Sequence, residues 1–190
     1  MDCNDLIIAD HNRCRGLFSR WKSANERDDL ESMKLVTAKI VEELLIHMAV
    51  EENVFYPAIR GESEEIDDTV FEGVEEHHVG KVLVEELAGM EPAGEEWIAK
   101  VKVLIEVTQH HMDEEEADML PAVRSKTSAD QRHALGERIA TRKVALGAPP
   151  LEEALDLTME ELKTKAKEQE IPGRSKMNKD ELAATIDPRG

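Results

Sequence analysis

HMDEEEADMLPAVR, residues 111–124, decides how this chain is read, because HMAVEENVFYPAIR, residues 47–60, says nearly the same thing. Laid over each other without gaps, the two stretches agree at seven of fourteen positions, keeping His, Met, Glu, Glu, Pro, Ala and Arg. Each opens on a histidine, places a glutamate four residues later and stops at a proline. On an α-helix, residues i and i+4 differ by about 40° in azimuth and ~6 Å in height, so the imidazole and the carboxylate point the same way.

Around these copies, apolar residues recur every three or four positions in four long segments. The spacing predicts amphipathic helices, A to D, at about 4–25, 28–56, 67–90 and 95–120. Asp67 or Asp68 is the expected N-cap of the third, and Glu91-Pro92-Ala93-Gly94 separates it from the fourth. Short connections make consecutive helices antiparallel neighbours, an all-α, up-down-up-down four-helix bundle. An additional helix is expected after Ser128, with Gln131 as its capping-box partner, running to about Leu146.

Gly147-Ala148-Pro149-Pro150 reads as a break, so the expected organisation is a bundle with its fifth helix over 1–147, a linker over 148–152 and a small helical module over 153–190. Residues 151–190 hold ten acids and seven bases, a charge of −3, against −15 for the rest. Thr158 with Glu161 and Asn178 with Glu181 predict two short capped helices around an extended IPGRSKMN connection.

The inward stripes carry the chemistry. Helix B reads Met33, Thr37, Ile40, Leu44, His47, Glu51, Val54, and helix D reads Val101, Leu104, Thr108, His111, Glu115. In both, apolar residues give way to His and then Glu without a change of period. Helix A runs Ile7, His11, Cys14, Phe18, Trp21, and helix C runs Val70, Val74, His77, Gly80, Val84, Leu87. His11 and His77 are 66 residues apart and His47 and His111 are 64 apart, so A and B repeat as C and D.

An ionised glutamate facing a core costs several kcal/mol unless it is paired, and no stripe offers a lysine or arginine. A metal answers this, since imidazole nitrogen with carboxylate oxygen suits iron, manganese or zinc. A lone inward histidine is more often a hydrogen-bonded structural residue. The duplicated, in-phase set on four helices is what points to metal. Four histidines and two glutamates exceed one tetrahedral zinc site. Divided over two ions, Glu51 and Glu115 bridge, His11 and His47 serve one, and His77 and His111 the other. Six-coordinate ions then keep room for a shared oxo or hydroxo bridge and an open position. Small residues one turn past the single histidines, Cys14 and Gly80, leave space for a small molecule there.

His78 and His110 adjoin His77 and His111, and the repeat offsets favour the latter pair as the inward ones. His133 reads as a surface residue and Cys14 as a small core residue, while Tyr56 is either interior or a donor near the site. Glu52 and Glu116, next to the paired glutamates, read as solvated.

His11, His47-x-x-x-Glu51-Glu52 leading to Pro57, Glu76-His77, and His111-x-x-x-Glu115-Glu116 leading to Pro121 resemble the hemerythrin-like family of HHE cation-binding domains. The resemblance spans about residues 4–124. It implies a bundle around a non-haem di-iron centre, two oxo- or hydroxo-bridged irons held by His11, His47, Glu51, His77, His111 and Glu115. Oxygen-carrying members have a second histidine on the third helix, one turn from its partner, where this chain has Gly73 before His77 and Lys81 after it. The implied function is binding of, or reaction with, oxygen, peroxide or nitric oxide in oxidative or nitrosative stress or its sensing, with peroxide- or nitric-oxide-metabolising oxidoreductase activity as one form.

The tail, LTMEELKTKAKEQEIPGRSKMNKDELAATI, resembles SAP-like, Rho N-terminal-type modules, which implies a regulatory protein that docks a protein or nucleic acid through residues 153–190. Its negative charge and lack of aromatic residues favour protein over nucleic acid. A net charge of −18 opposes nonspecific contact with phosphate backbones or anionic lipid. Two cysteines and no long apolar run make a reducing, cytoplasmic setting the expectation.

Overall fold

A polar layer of imidazoles and carboxylates divides the core of the bundle in two. The computed structural model describes residues 1–189, and among these it contains helices and no strand. The long helices are α1 (Cys3–Glu26), α2 (Leu30–Val50), α4 (Glu64–Ala88) and α5 (Gly94–Glu114). α1 packs on α2 and α4 on α5, the up-down-up-down arrangement that the short connections require. On one side of the polar layer lie Ile7, Val50, Phe55, Tyr56, Ile66 and Leu120. On the other lie Phe18, Trp21, Ile40, Leu44, Leu104 and Met112. The Trp21 indole donates to Thr37 Oγ1, so the largest core side chain buries no unpaired N–H.

The prolines do not stop the helices. After Val50 and after Glu114 the backbone widens into one π-helical turn, Glu51–Phe55 and Glu115–Met119, and then continues as α3 (Tyr56–Ile59) and α6 (Leu120–Lys126). The Tyr56 N–H reaches back five residues to the Glu51 carbonyl, and the Leu120 N–H to the Glu115 carbonyl. Each proline follows directly, at the start of a new α-helical segment where its missing N–H is tolerated. The two sequence copies thus share a backbone irregularity that begins at the paired glutamate.

The third long helix begins earlier than expected. Ser63, not Asp67 or Asp68, is the N-cap: its hydroxyl accepts from the Ile66 N–H, while Asp67 accepts from the Gly61 N–H. On the same helix Gly73 takes the inward position expected of Val74, which is 39% exposed.

α7 (Ala129–Ala145) forms with the Ser128–Gln131 capping box and packs against α1. Beyond it come α8 (Leu151–Leu155), α9 (Met159–Glu168), a 3₁₀ turn at Arg174–Lys176 and α10 (Lys179–Thr185). The capping boxes at Thr158–Glu161 and Asn178–Glu181 both form, and α8 is a helix the sequence did not announce. Leu162, Ala166, Ile171, Leu182 and Ile186 build a small core for this segment. It is docked on α1: Arg13 donates through Nε to the Thr185 carbonyl at 2.9 Å and through Nη2 to the Ala184 carbonyl at 2.6 Å. Among the described residues no helix is long and apolar enough to cross a membrane.

Candidate metal centre

His11, His47, Glu51, His77, His111 and Glu115 all lie inside the bundle, none more than 4% exposed. His78 and His110 are turned outward, and His133 is exposed. The Glu51 Oε2 atom sits 3.3 Å from His47 Nε2, 3.1 Å from His77 Nε2 and 3.7 Å from His111 Nε2. Glu115 Oε2 sits 3.2 Å from His11 Nε2 and 3.8 Å from His111 Nε2. Two overlapping groups have ligand atoms close enough to share an ion: His47, Glu51, His77 and His111, and His11, His47, Glu51 and Glu115. His47 and Glu51 belong to both. Each glutamate reaches a histidine of both halves of the repeat, Glu51 through His47 and His77 and Glu115 through His11 and His111.

The outer faces of three imidazoles are held by carboxylates. His11 Nδ1 lies 2.8 Å from Glu116 Oε1, His77 Nδ1 3.0 Å from Glu52 Oε1, and His111 Nδ1 2.7 Å from Glu76 Oε2. An Nδ1–H donated to each carboxylate leaves the corresponding Nε2 lone pair aimed into the bundle. His77 Nε2 and His111 Nε2 then face each other at 3.0 Å, a contact two lone pairs resist unless a cation or proton lies between them. His11 Nε2, His47 Nε2, Glu51 Oε1 and Glu115 Oε2 are likewise buried without a hydrogen bond of acceptable geometry. Such a set of inward N and O atoms could hold a cation.

Glu52 and Glu116 are thus not idle solvated side chains. Each follows an inward glutamate in one half of the repeat and braces a histidine of the other half. Each also binds a surface cation: Lys81 to Glu52 at 2.5 Å, and Arg15 to Glu116 at 2.7 Å. The signal was the second glutamate kept in both sequence copies; the partners it reaches were not readable from a single helix. The repeat would predict a fourth brace, Asp10 on His47, as the counterpart of Glu76 on His111. Instead Lys143 of α7 takes Asp10 Oδ1 in a buried ion pair, and both Asp10 Oδ2 and His47 Nδ1 remain unpaired. Lys143 and Arg13 are buried cations that the stripes did not announce, but neither pairs with Glu51 or Glu115.

Tyr56 closes one end of the cluster. Its hydroxyl donates to Glu115 Oε1 at 2.8 Å and approaches Glu51 Oε2 at 3.3 Å. Burial and the two carboxylates push its pKa well above the ordinary phenol value. Burial pushes His47 down to about 4, against the pull of Glu51. For His11, burial acts in the same direction, but Glu115 and Glu116 outweigh it and lift the imidazole to about 9. Glu51 would be raised by burial, yet the surrounding His47, His111 and His77 hold it well below the usual carboxylate range.

The hemerythrin HHE cation binding domain family matches residues 3–123 of this chain. The chain belongs to that family. The hemerythrin match covers the bundle and stops before α7. A curated relative, the DNA nickase of Nostoc sp. (strain PCC 7120 / SAG 25.82 / UTEX 2576), is 27% identical over 136 residues, which make up 69% of this chain and 36% of the relative. The chain thus spans about a third of the length of that relative. No solved structure matches this hemerythrin-family chain.

Proposed function

We propose that this hemerythrin-family protein holds two iron ions, with an oxo or hydroxo bridge, on His11, His47, Glu51, His77, His111 and Glu115, and that it binds or reacts with oxygen, peroxide or nitric oxide. The carrying observation is the ring of buried, unpartnered nitrogen and oxygen atoms whose imidazole lone pairs are aimed at one another. Bound iron supplies redox reactivity toward small oxidants, chemistry that no protein side chain here could provide.

The side chains around it set the conditions. Glu116, Glu52 and Glu76 fix imidazole orientation and raise the basicity of the inward nitrogens. Tyr56 keeps Glu115 in place and has a hydroxyl proton to offer at the cluster. A cavity of about 20 Å³ borders His47, His77 and His111 between Gly80 and Thr108. That is room for a molecule of water's size or slightly more, which supports a small inorganic oxidant over an organic substrate. The missing side chain at Gly80, one turn past His77, keeps this space clear. We place this chemistry in oxidative or nitrosative stress and in the cytoplasm, a setting in which two buried, free cysteines stay reduced.

The test is iron per chain, followed by visible spectra of the reduced protein with oxygen, peroxide or nitric oxide added in turn. Two irons and a spectral response are expected, with both lost in E51A and E115A. Zinc alone, or metal retained in both variants, would overturn the reading.

A second reading is an iron- or oxygen-responsive protein whose C-terminal segment, about residues 153–190, docks a protein or nucleic acid, with DNA strand cleavage as an activity. The relative called DNA nickase supports it, and so does Arg13, which ties α10 to the helix that carries His11. The charge of −18 weighs against it. Supercoiled plasmid incubated with the iron- or manganese-loaded protein would relax to open circles on this reading, and would stay supercoiled with E51A.

A further inference from the structure

We infer that Glu76, His110 and Glu114, on the outer face of α4 and α5, form a loading site that captures a divalent cation and passes it to the buried centre. The inference rests on the reading that the buried centre takes metal. The ligand atoms of the three residues lie within 4.8 Å of one another. His110 Nε2 is 3.2 Å from Glu114 Oε1, with the imidazole 65% exposed. His110-x-x-x-Glu114 is the same spacing as His111-x-x-x-Glu115, displaced by one residue, so about 100° of helical rotation turns one pair outward and the other inward. The first copy has Ile46 and Val50 at the corresponding positions, both buried, so this outward pair belongs to the second copy alone.

Glu76 joins the two sites. It belongs to the outward group and also contacts His111 Nδ1 at 2.7 Å. Of the three carboxylates that brace inward imidazoles, Glu52 is locked by Lys81 and Glu116 by Arg15, while Glu76 pairs with no lysine or arginine among the described residues. It is the one brace whose charge is not already neutralised by a fixed cation. Behind it lies the cavity between Gly80 and Thr108, and the wall of that cavity includes His47, which is 2% exposed and has neither ring nitrogen hydrogen-bonded. Glu76 thus belongs both to the outward group and to the wall of a small cavity that a buried imidazole without a hydrogen bond also lines. One imidazole and two carboxylates suit a hydrated divalent ion of the first transition row, and solvent exposure keeps such a site weak enough to release it. The acidic surface concentrates cations at its mouth.

Uptake of cobalt(II) by the metal-free, full-length protein, followed by its visible absorption after rapid mixing, tests this. The double variant H110A/E114A should load about tenfold more slowly and reach the same final metal content. E62Q/E65Q, which removes two exposed acids elsewhere on the chain, should stay within about twofold of the wild-type rate. Equal rates for wild type and H110A/E114A would overturn the loading site, as would equal slowing in E62Q/E65Q or a matching loss of final metal content. A wild-type protein that takes up no metal would instead overturn the reading of the buried centre, and the loading site with it.

Discussion

The hydroxyl of Tyr56 stands where a side chain on residue 73 would go. A Cβ at Gly73 would lie 2.8 Å from Tyr56 Oη and 3.3 Å from His111 Cε1. Position 73 is one turn before His77, and the Tyr56 phenol fills the space that a side chain there would need. Gly73→Ala should destabilise the protein by ~1–3 kcal/mol, the usual cost of overpacking. Tyr56→Phe removes the nearest atom and leaves the ring carbon at an ordinary 3.4 Å, with His111 Cε1 still at 3.3 Å, so part of that cost should vanish in the double variant. Urea unfolding of the four proteins measures the coupling, and strictly additive effects would count against it.

The carboxylates outside the imidazoles should matter to metal affinity although they touch no inward atom. Glu116→Gln and Glu52→Gln each leave one histidine without its charged acceptor, and a loss of about 10–100-fold in affinity is expected for each. Competition against a coloured chelator would read this directly. Glu64→Gln, at an exposed position at the start of α4, should leave affinity unchanged.

Asp2 ties α1 to α7. Its carboxylate caps α1 at the Asp5 N–H and accepts from Arg132 Nε at 3.0 Å. Burial pushes its pKa up, but Arg132, the Asp5 amide and Arg124 outweigh this and hold it below the ordinary value. A folded-state pKa below the unfolded one means the ionised group stabilises the fold above about pH 4, with the contribution lost as pH falls through the folded value. Asp2→Asn should therefore cost ~1 kcal/mol at neutral pH and show a gap in melting temperature that closes as pH falls below the ordinary carboxylate range.

Arg13 should decide whether the C-terminal segment stays on the bundle. Its guanidinium is buried, donates to two carbonyls at the end of α10 and pairs with Glu43 at 3.2 Å. Arg13→Met would strand all three acceptors, at a cost of about 3–5 kcal/mol for a broken buried pair. Hydrogen exchange over residues 182–186 should accelerate in this variant while the protected amides of α2 and α5 change little. Gly16→Ala attacks the same contact from another point, because its Cβ would lie 2.6 Å from the Gln169 carbonyl oxygen.

Much of the site is legible in the amino-acid sequence. The paired HxxxE segments, the offsets of 64 and 66 residues and the apolar stripes are enough to single out six inward side chains and to choose between adjacent histidines. Capping boxes mark three helix starts correctly. Local patterns mislead where a preference meets a competing partner. Asp67 looks like a cap but serves Gly61, and the prolines look like stops but are accommodated by π turns one residue wider than an α turn. Val74 matches the stripe, yet Gly73 alone fits against Tyr56.

The direction of each side chain around its own helix follows from a rotation of about 100° per residue, which is a property of the chain alone, and so the sequence by itself determined the all-helical bundle and the facing of its histidines and glutamates. Packing decided everything that joins residues far apart. Glu116 meets His11 across 105 residues of chain, Lys143 meets Asp10 across 133, and Arg13 meets Thr185 across 172. Those partners are set by which helices become neighbours and how deeply they sit, and no helical period records that.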